Sequence, residues 1–391
     1  MSELHEAYAP ILRFAKGERF FPMRAEDFMQ YSALFARGRN EPIAPRGSVM
    51  PDQLARQGRS TGVFLRSVDA GPLQGPQVVA QWGKRTVDLV YQWTQRTGPG
   101  WSESLARTAY KWFSGKTQAA TELFWWNKLL IPALEKASSG KADDLPRLML
   151  PQETRDEAAD RYASLSSPVP AYTYYHRQVR DGDYLCLQYW FFYGYNDWAR
   201  GFEGLNDHEG DWESMMLFFR VTPEGKPREP PAYITFVGHH SRLTKPWYHS
   251  DVELIGSHPV GYVAAGSHAT YPEAKPYSIM ELYNLVDYAT GDGVTVDHDQ
   301  WAHRIAVSDV PWLTSYQGSW GTRFWLPVDA FRTALAMAGT LNPALRLASS
   351  RVSREIELPG VSAPHGPRVG DTGDQRPQWA GPVEWAGVPR T

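Results

Sequence analysis

Two runs, Leu185–Tyr193 and Asp211–Phe219, constrain the fold more than any other part of the chain, because each is too aromatic and too apolar to be half-exposed. A strand with one wet face alternates apolar and polar side chains, whereas these carry apolar side chains at both odd and even positions, so both of their faces are covered. Further strand-like runs follow at Ala232–Val237 and Gly261–Ala265, separated by turn residues, and short ones precede at 11–14 and 19–22. Several short strands with turn signals between them predict an antiparallel sandwich, mainly β and jelly-roll-like.

The texture differs between 78 and 165. There Val79, Trp82, Leu89, Val90 and Trp93, and again Leu123, Trp126, Leu130, Ile131 and Leu134, recur at helical spacing. An α-helical insertion over 78–165 is expected between an N-terminal part of the sandwich, 1–77, and its main part, 166–328. Residues 329–391 are expected to form a C-terminal helix and a Gly/Pro-rich tail. Residues 80–136 carry a net charge of +4 beside Trp112-Phe113 and Phe124-Trp-Trp126, a pattern shared by an interfacial membrane helix and by a helical layer packed on a sheet. The both-face-apolar strands need a cover, so packing is the expectation, with peripheral membrane contact as the alternative.

Charge and composition narrow the function classes. With 40 Lys and Arg against 43 Asp and Glu, the net charge of −3 rules out bulk nucleic-acid binding. The single cysteine, Cys186, excludes an internal disulfide and a thiolate zinc cluster. The start of the chain lacks the basic and then apolar pattern of a secretory signal, and no window holds the roughly 18 apolar residues of a membrane span, so a cytoplasmic protein is expected.

The densest chemistry lies in Asn206-Asp-His-Glu-Gly-Asp-Trp-Glu213, four carboxylates and an imidazole directly before an apolar strand. Period-two geometry turns Asp211 and Glu213 to one face and Trp212 to the other, into the core. His208 can fold back over the first face through a turn that Gly210 permits. Two carboxylates and an imidazole at a strand mouth suit a hard divalent cation, calcium, magnesium or manganese. Asn196 and Asp197, on the loop after the preceding strand, are further ligand candidates. The plainer alternative is a turn rich in Asp and Asn with Glu213 paired to an arginine.

These residues carry a resemblance. Tyr189-Trp-Phe-Phe-Tyr-Gly-Tyr-Asn196, His208-Glu-Gly-Asp-Trp-Glu213 and Ala265-Gly-Ser-His-Ala-Thr-Tyr271 resemble, in order, the family related to vacuolar protein sorting-associated protein sixty-two. Supporting pieces are Tyr8–Phe14, Glu18-Arg-Phe-Phe-Pro22 and Tyr316–Gly321. More distantly, the His-x-x-Asp-Trp-Glu order is similar to that of the necrosis- and ethylene-inducing peptide-like cytolysins, which carry it on a β-sandwich and bind a divalent cation that engages a sphingolipid headgroup. That resemblance implies His208, Asp211 and Glu213 as ligands, with the family's upstream Asp matching Asn196 or Asp197. The chain departs from the cytolysins in lacking a disulfide pair and a secretion signal and in carrying the helical block.

Other clusters compete. His268, after Gly266-Ser267, is a candidate fourth ligand or acid/base, or a histidine capping a strand end. Ser267 lacks the strand–turn–helix elbow of a nucleophile. His239, His240, His249, Asp251, Glu253 and His258 read as a solvated loop, and Asp292, Asp297, His298 and Asp299 as a turn whose spacing does not match an EF-hand. The expected function is cation-dependent binding of a small polar ligand such as a glycan or lipid headgroup, with Tyr193, Tyr195, His268 and Tyr271 contacting it. The alternatives are a metal-assisted enzyme using Glu213 or His268, and a scaffold with a structural cation.

Overall fold

The computed structural model describes residues 3–39, 41–58, 62–69, 152–198, 207–238, 241–280, 285–322, 325–326, 356–357, 363–370 and 374–390. The helices expected over 79–134 and 329–350, and His239 and His240, lie outside these residues.

The strands are β1 (Ile11–Phe14), β2 (Ala33–Ala36), β3 (Val63–Arg66), β4 (Thr173–Asp181), β5 (Tyr184–Asn196), β6 (His208–Arg220), β7 (Tyr233–Gly238), β8 (Ser241–Pro246), β9 (Leu254–Ile255), β10 (His258–Val263), β11 (Thr270–Tyr271), β12 (Lys275–Met280), β13 (Leu285–Ala289), β14 (Thr295–Val296), β15 (His303–Ala306), β16 (Trp325–Leu326) and β17 (Ile356–Glu357). Six of them form the main sheet in the order β15-β4-β5-β6-β7-β8. A smaller sheet runs β11-β10-β1-β14, with β9 paired to β10. Pairing is antiparallel except for β15 with β4 and β1 with β10, which are parallel. The molecule is mainly β, with small helical parts.

The two aromatic runs are the centre of the main sheet. Strands β5 and β6 pair from Tyr184 opposite Arg220 to Asn196 opposite His208. Leu187, Tyr189, Phe191 and Tyr193 of β5, with Met215, Leu217 and Phe219 of β6, pack against Leu12, Phe14, Val263 and Val296 of the smaller sheet. The alternate positions, Cys186, Trp190, Phe192, Trp212, Met216 and Phe218, join a second core with Phe28, Leu54, Trp312, Trp320 and Trp379. Burial on both faces is what these side chains require, since each large apolar side chain removed from water contributes roughly 1.5–3 kcal/mol.

The cover on the second face is assembled from several separate stretches. Apart from α1 (Leu4–Ala7), the described α-helices lie here: α2 (Ala25–Gln30), α3 (Pro51–Gln57), α4 (Gln152–Leu165), α5 (Pro311–Ser315), α6 (Pro377–Ala380) and α7 (Pro382–Ala386), together with the antiparallel β2–β3 pair. Of the helical block expected over 78–165, the described part is α4, whose Ala158 and Tyr162 enter this core. No helix among the described residues is long and apolar enough to cross a membrane.

Candidate functional site

The site lies where β5 and β6 reach their shared end. Alternation holds down both strands as far as Tyr193 opposite Asp211 and Phe191 opposite Glu213, which puts Asp211 and Glu213 on the face towards the smaller sheet. Trp212 turns the other way and packs on Phe192, Tyr175 and Trp320. The alternation breaks at Gly210, whose backbone is left-handed at φ 60° and lies so close to Trp320 that an added Cβ would meet its carbonyl oxygen at 2.1 Å. Only glycine fits there.

That break sends Glu209 towards the helical cover, where its Oε1 accepts from Ser67 N (2.6 Å), Ser67 Oγ (2.7 Å) and Val68 N (3.1 Å). Its Oε2 accepts from Thr322 N (3.2 Å) and Thr322 Oγ1 (2.9 Å). His208 returns to the Asp211 side, close enough to feel the charges of Asp211 and His268. Burial holds the His208 pKa below its ordinary value despite Asp211. Its Nδ1 lies 3.0 Å from the Gly210 carbonyl, so Nδ1 carries the proton and Nε2 keeps its lone pair.

Asp211 Oδ2 accepts from Asn196 Nδ2 at 3.2 Å and from His268 Nδ1 at 3.1 Å. Glu213, 8% exposed, has no hydrogen-bond or ion-pair partner among the described residues. Burial first, then Asp211 and Asp287, push its pKa well above the ordinary carboxyl range. Two buried atoms at the same end of β5, Asn196 Oδ1 and Tyr193 Oη, are also without a hydrogen-bond partner among the described residues.

His268 is built into the wall. It is the one non-glycine residue with a left-handed backbone among those described, at φ 57°, and it is fully buried. Its ring stacks on Tyr193 at 3.9 Å between centroids and 2° between planes. Glu18 Oε1 faces Nε2 at 3.6 Å, an ion-pair distance longer than a hydrogen bond. Burial alone would lower the His268 pKa; Asp211 and Glu18 outweigh it and raise it to about 9. Glu18 is itself held by the N–H groups of Arg19, Phe20 and Gly266. Burial would raise its pKa, but His268 and the N–H groups of Gly266 and Phe20 outweigh that and lower it.

The remaining sequence candidates separate. Asp197 is drawn away from the cluster by Arg19 Nη2 at 2.6 Å and Arg155 Nη1 at 3.2 Å. Its neighbour in that network, Asp207, is raised to about 8 by burial and by Asp197. Tyr195 enters the opposite core, against Phe20. Tyr271 donates to Asp287 Oδ2 at 2.7 Å, and Ser267 to Asp287 Oδ1 at 2.9 Å, which is the structural use of that hydroxyl. The rings of Tyr193, Tyr195 and Tyr271 are all buried and present no ring face to solvent; of the three, Tyr193 lines the cluster through its stack on His268.

Among the described residues, the side chains that offer three ligand atoms within 4.8 Å of one another are Asp297, His298 and Asp299, at the surface. Asp297 there accepts from His298 N at 2.7 Å and donates its own N–H to Gln300 Oε1, the bonds of a tight turn. His249 and Lys245 both bond Asp251 in a separate loop. Glu18, within the motif Glu18-Arg-Phe-Phe-Pro22, joins the site beyond the residues expected from the sequence, as do Asp287 and, in its structural role, Glu209.

No protein-family model matches the chain, and no curated protein matches it. The sorting-protein resemblance therefore has no support from a family match. Among solved structures, the chain is similar to Necrosis and Ethylene inducing Protein 2 from the causal agent of cocoa's Witches Broom disease, with a TM-score of 0.23 and 12% identity. The likeness covers 43% of this chain and 60% of that one.

Proposed function

We propose that the end of the β5–β6 pair binds a divalent cation and, through it, a polar ligand such as a glycan or a lipid headgroup. The observation that carries this reading is the buried pair Asp211 and Glu213, whose second member has no partner among the described residues. His268 answers the charge of Asp211, whereas Glu213 beside it on the same buried face is opposed by Asp211, and a dication would supply the counter-charge that Glu213 lacks. The donors this reading draws on are Asp211 Oδ1, the Glu213 carboxylate, Asn196 Oδ1 and His208 Nε2; His208, Asp211 and Glu213 do not bring three ligand atoms within 4.8 Å of one another in the structure, so the ion would have to draw them together. Three oxygens and one imidazole leave room for water or a ligand hydroxyl on calcium, magnesium or manganese.

Calorimetric titration of chelator-stripped protein with Mn²⁺ tests the reading. Asp211→Asn removes one charge from the donor set and is expected to weaken binding by about tenfold or more, roughly 1.4 kcal/mol. His249→Ala, in a separate loop, serves as the control and is expected to bind like wild type. Equal affinity in the two variants would sink the assignment. Saturating cation should also raise Tm, as any ligand of the native state does.

A further inference from the structure

We infer that His268 is a positioning residue that restricts Asp211 to one ligating oxygen and so selects small six-coordinate cations over calcium. The inference rests on the cation reading above and adds to it a reason for selectivity. A carboxylate oxygen offers two lone-pair directions. On Asp211 Oδ2 both are taken, by His268 Nδ1–H at 3.1 Å and by Asn196 Nδ2–H at 3.2 Å. Only Oδ1 is left for an ion.

His268 has no freedom to release that oxygen. Its ring is fully buried and stacked face to face on Tyr193, with Glu18 beyond its far nitrogen at 3.6 Å. Its backbone is locked as well. Gly266, two residues before, lies so close to Asp197 that a Cβ would meet the Asp197 carbonyl at 1.7 Å, and the His268 N–H is bonded to the Ala264 carbonyl at 3.1 Å. A left-handed non-glycine residue persists only where its surroundings over-determine it, and here the Tyr193 stack, the Ala264 carbonyl and Glu18 hold the imidazole with Nδ1 towards Asp211.

The consequence for the ion follows from coordination chemistry. Calcium takes six to eight oxygens and commonly gathers them with bidentate carboxylates, whereas smaller octahedral ions are satisfied by one or two carboxylates and several waters. An aspartate restricted to one oxygen therefore penalises calcium more than manganese or magnesium.

The test titrates Mn²⁺ and Ca²⁺ separately into the chelator-stripped full chain and reads the ratio of the two affinities. His268→Asn places an amide N–H where Nδ1 stands and tolerates the left-handed backbone. His268→Gln carries its amide one atom farther, towards Glu18, and no longer donates to Asp211. Wild type is expected to prefer Mn²⁺ by about tenfold or more, with His268→Asn within about threefold of that ratio and His268→Gln losing most of it. Glu18→Gln, which loosens the far side of the imidazole, should move the ratio in the same direction by less, and stands in should His268→Gln fail to fold.

A ratio that is the same in wild type, His268→Gln and Glu18→Gln overturns the positioning role while leaving the cation reading intact. A parallel fall in both affinities also overturns it, because a merely structural role predicts that. Binding of neither ion by wild type overturns the cation reading, and this inference with it.

Discussion

Glu18, His268 and Asp211 form a buried line of alternating charge, and that line ties stability to pH. The folded-state pKa of His268 is raised to about 9 from an ordinary value of 6.5, so its contribution is complete below pH 6.5 and is lost as pH rises through 9. Glu18 has a lowered pKa, so its contribution is present above its ordinary 4.5 and lost as pH falls below that. In chelator, the difference in Tm between wild type and His268→Gln is therefore expected to be widest near pH 5–6.5 and to shrink steadily towards pH 9. A difference that stays flat over this range would show that His268 carries no proton on account of its two carboxylates. Neither Glu18 nor its distance to His268 can be read from local sequence, because the two lie 250 residues apart.

The β5–β6 pair shows how one element places chemistry on two faces. From Tyr184 to Tyr193 plain alternation governs both strands, and Asp211, Trp212 and Glu213 point where a period of two puts them. Beyond that point Gly210 changes the count, sending Glu209 to one core and returning His208 to the other side. A side chain at 210 would be strained by its left-handed backbone, at about 1–2 kcal/mol, and would also strike the Trp320 carbonyl. Gly210→Ala is expected to cost about 3 kcal/mol or more and to lower Tm accordingly, because backbone cannot move aside as a flexible side chain can. A Gly210→Ala protein with native Tm would show that the strand end is built differently. The glycine was legible as a permissive turn residue; that it sits against Trp320 was not.

At the scale of the whole molecule, Glu209 gathers three distant parts of the chain at one carboxylate: the end of β3 at Ser67 and Val68, β6 itself, and Thr322. Removing it leaves buried N–H and hydroxyl groups unpaired, each at about 1–3 kcal/mol. Glu209→Ala is expected to destabilise by about 3–5 kcal/mol in denaturant melts and to expose the chain near Ser67 to protease. Unchanged stability would mean that these donors find other partners. The centre of the sandwich follows from composition along two short runs, since Leu185–Tyr193 and Asp211–Phe219 are apolar on both faces and cannot be left wet. That Asp211 and Glu213 share a face follows as well, because strand alternation is a local rule. Which groups meet them depends on how distant segments pack. Asp197 goes to Arg19 and Arg155, Glu209 to Ser67 and Thr322, and Asp211 to His268. Each of these is a pairing between residues 42 to 178 positions apart, set by the packing of layers against each other, which no local period encodes.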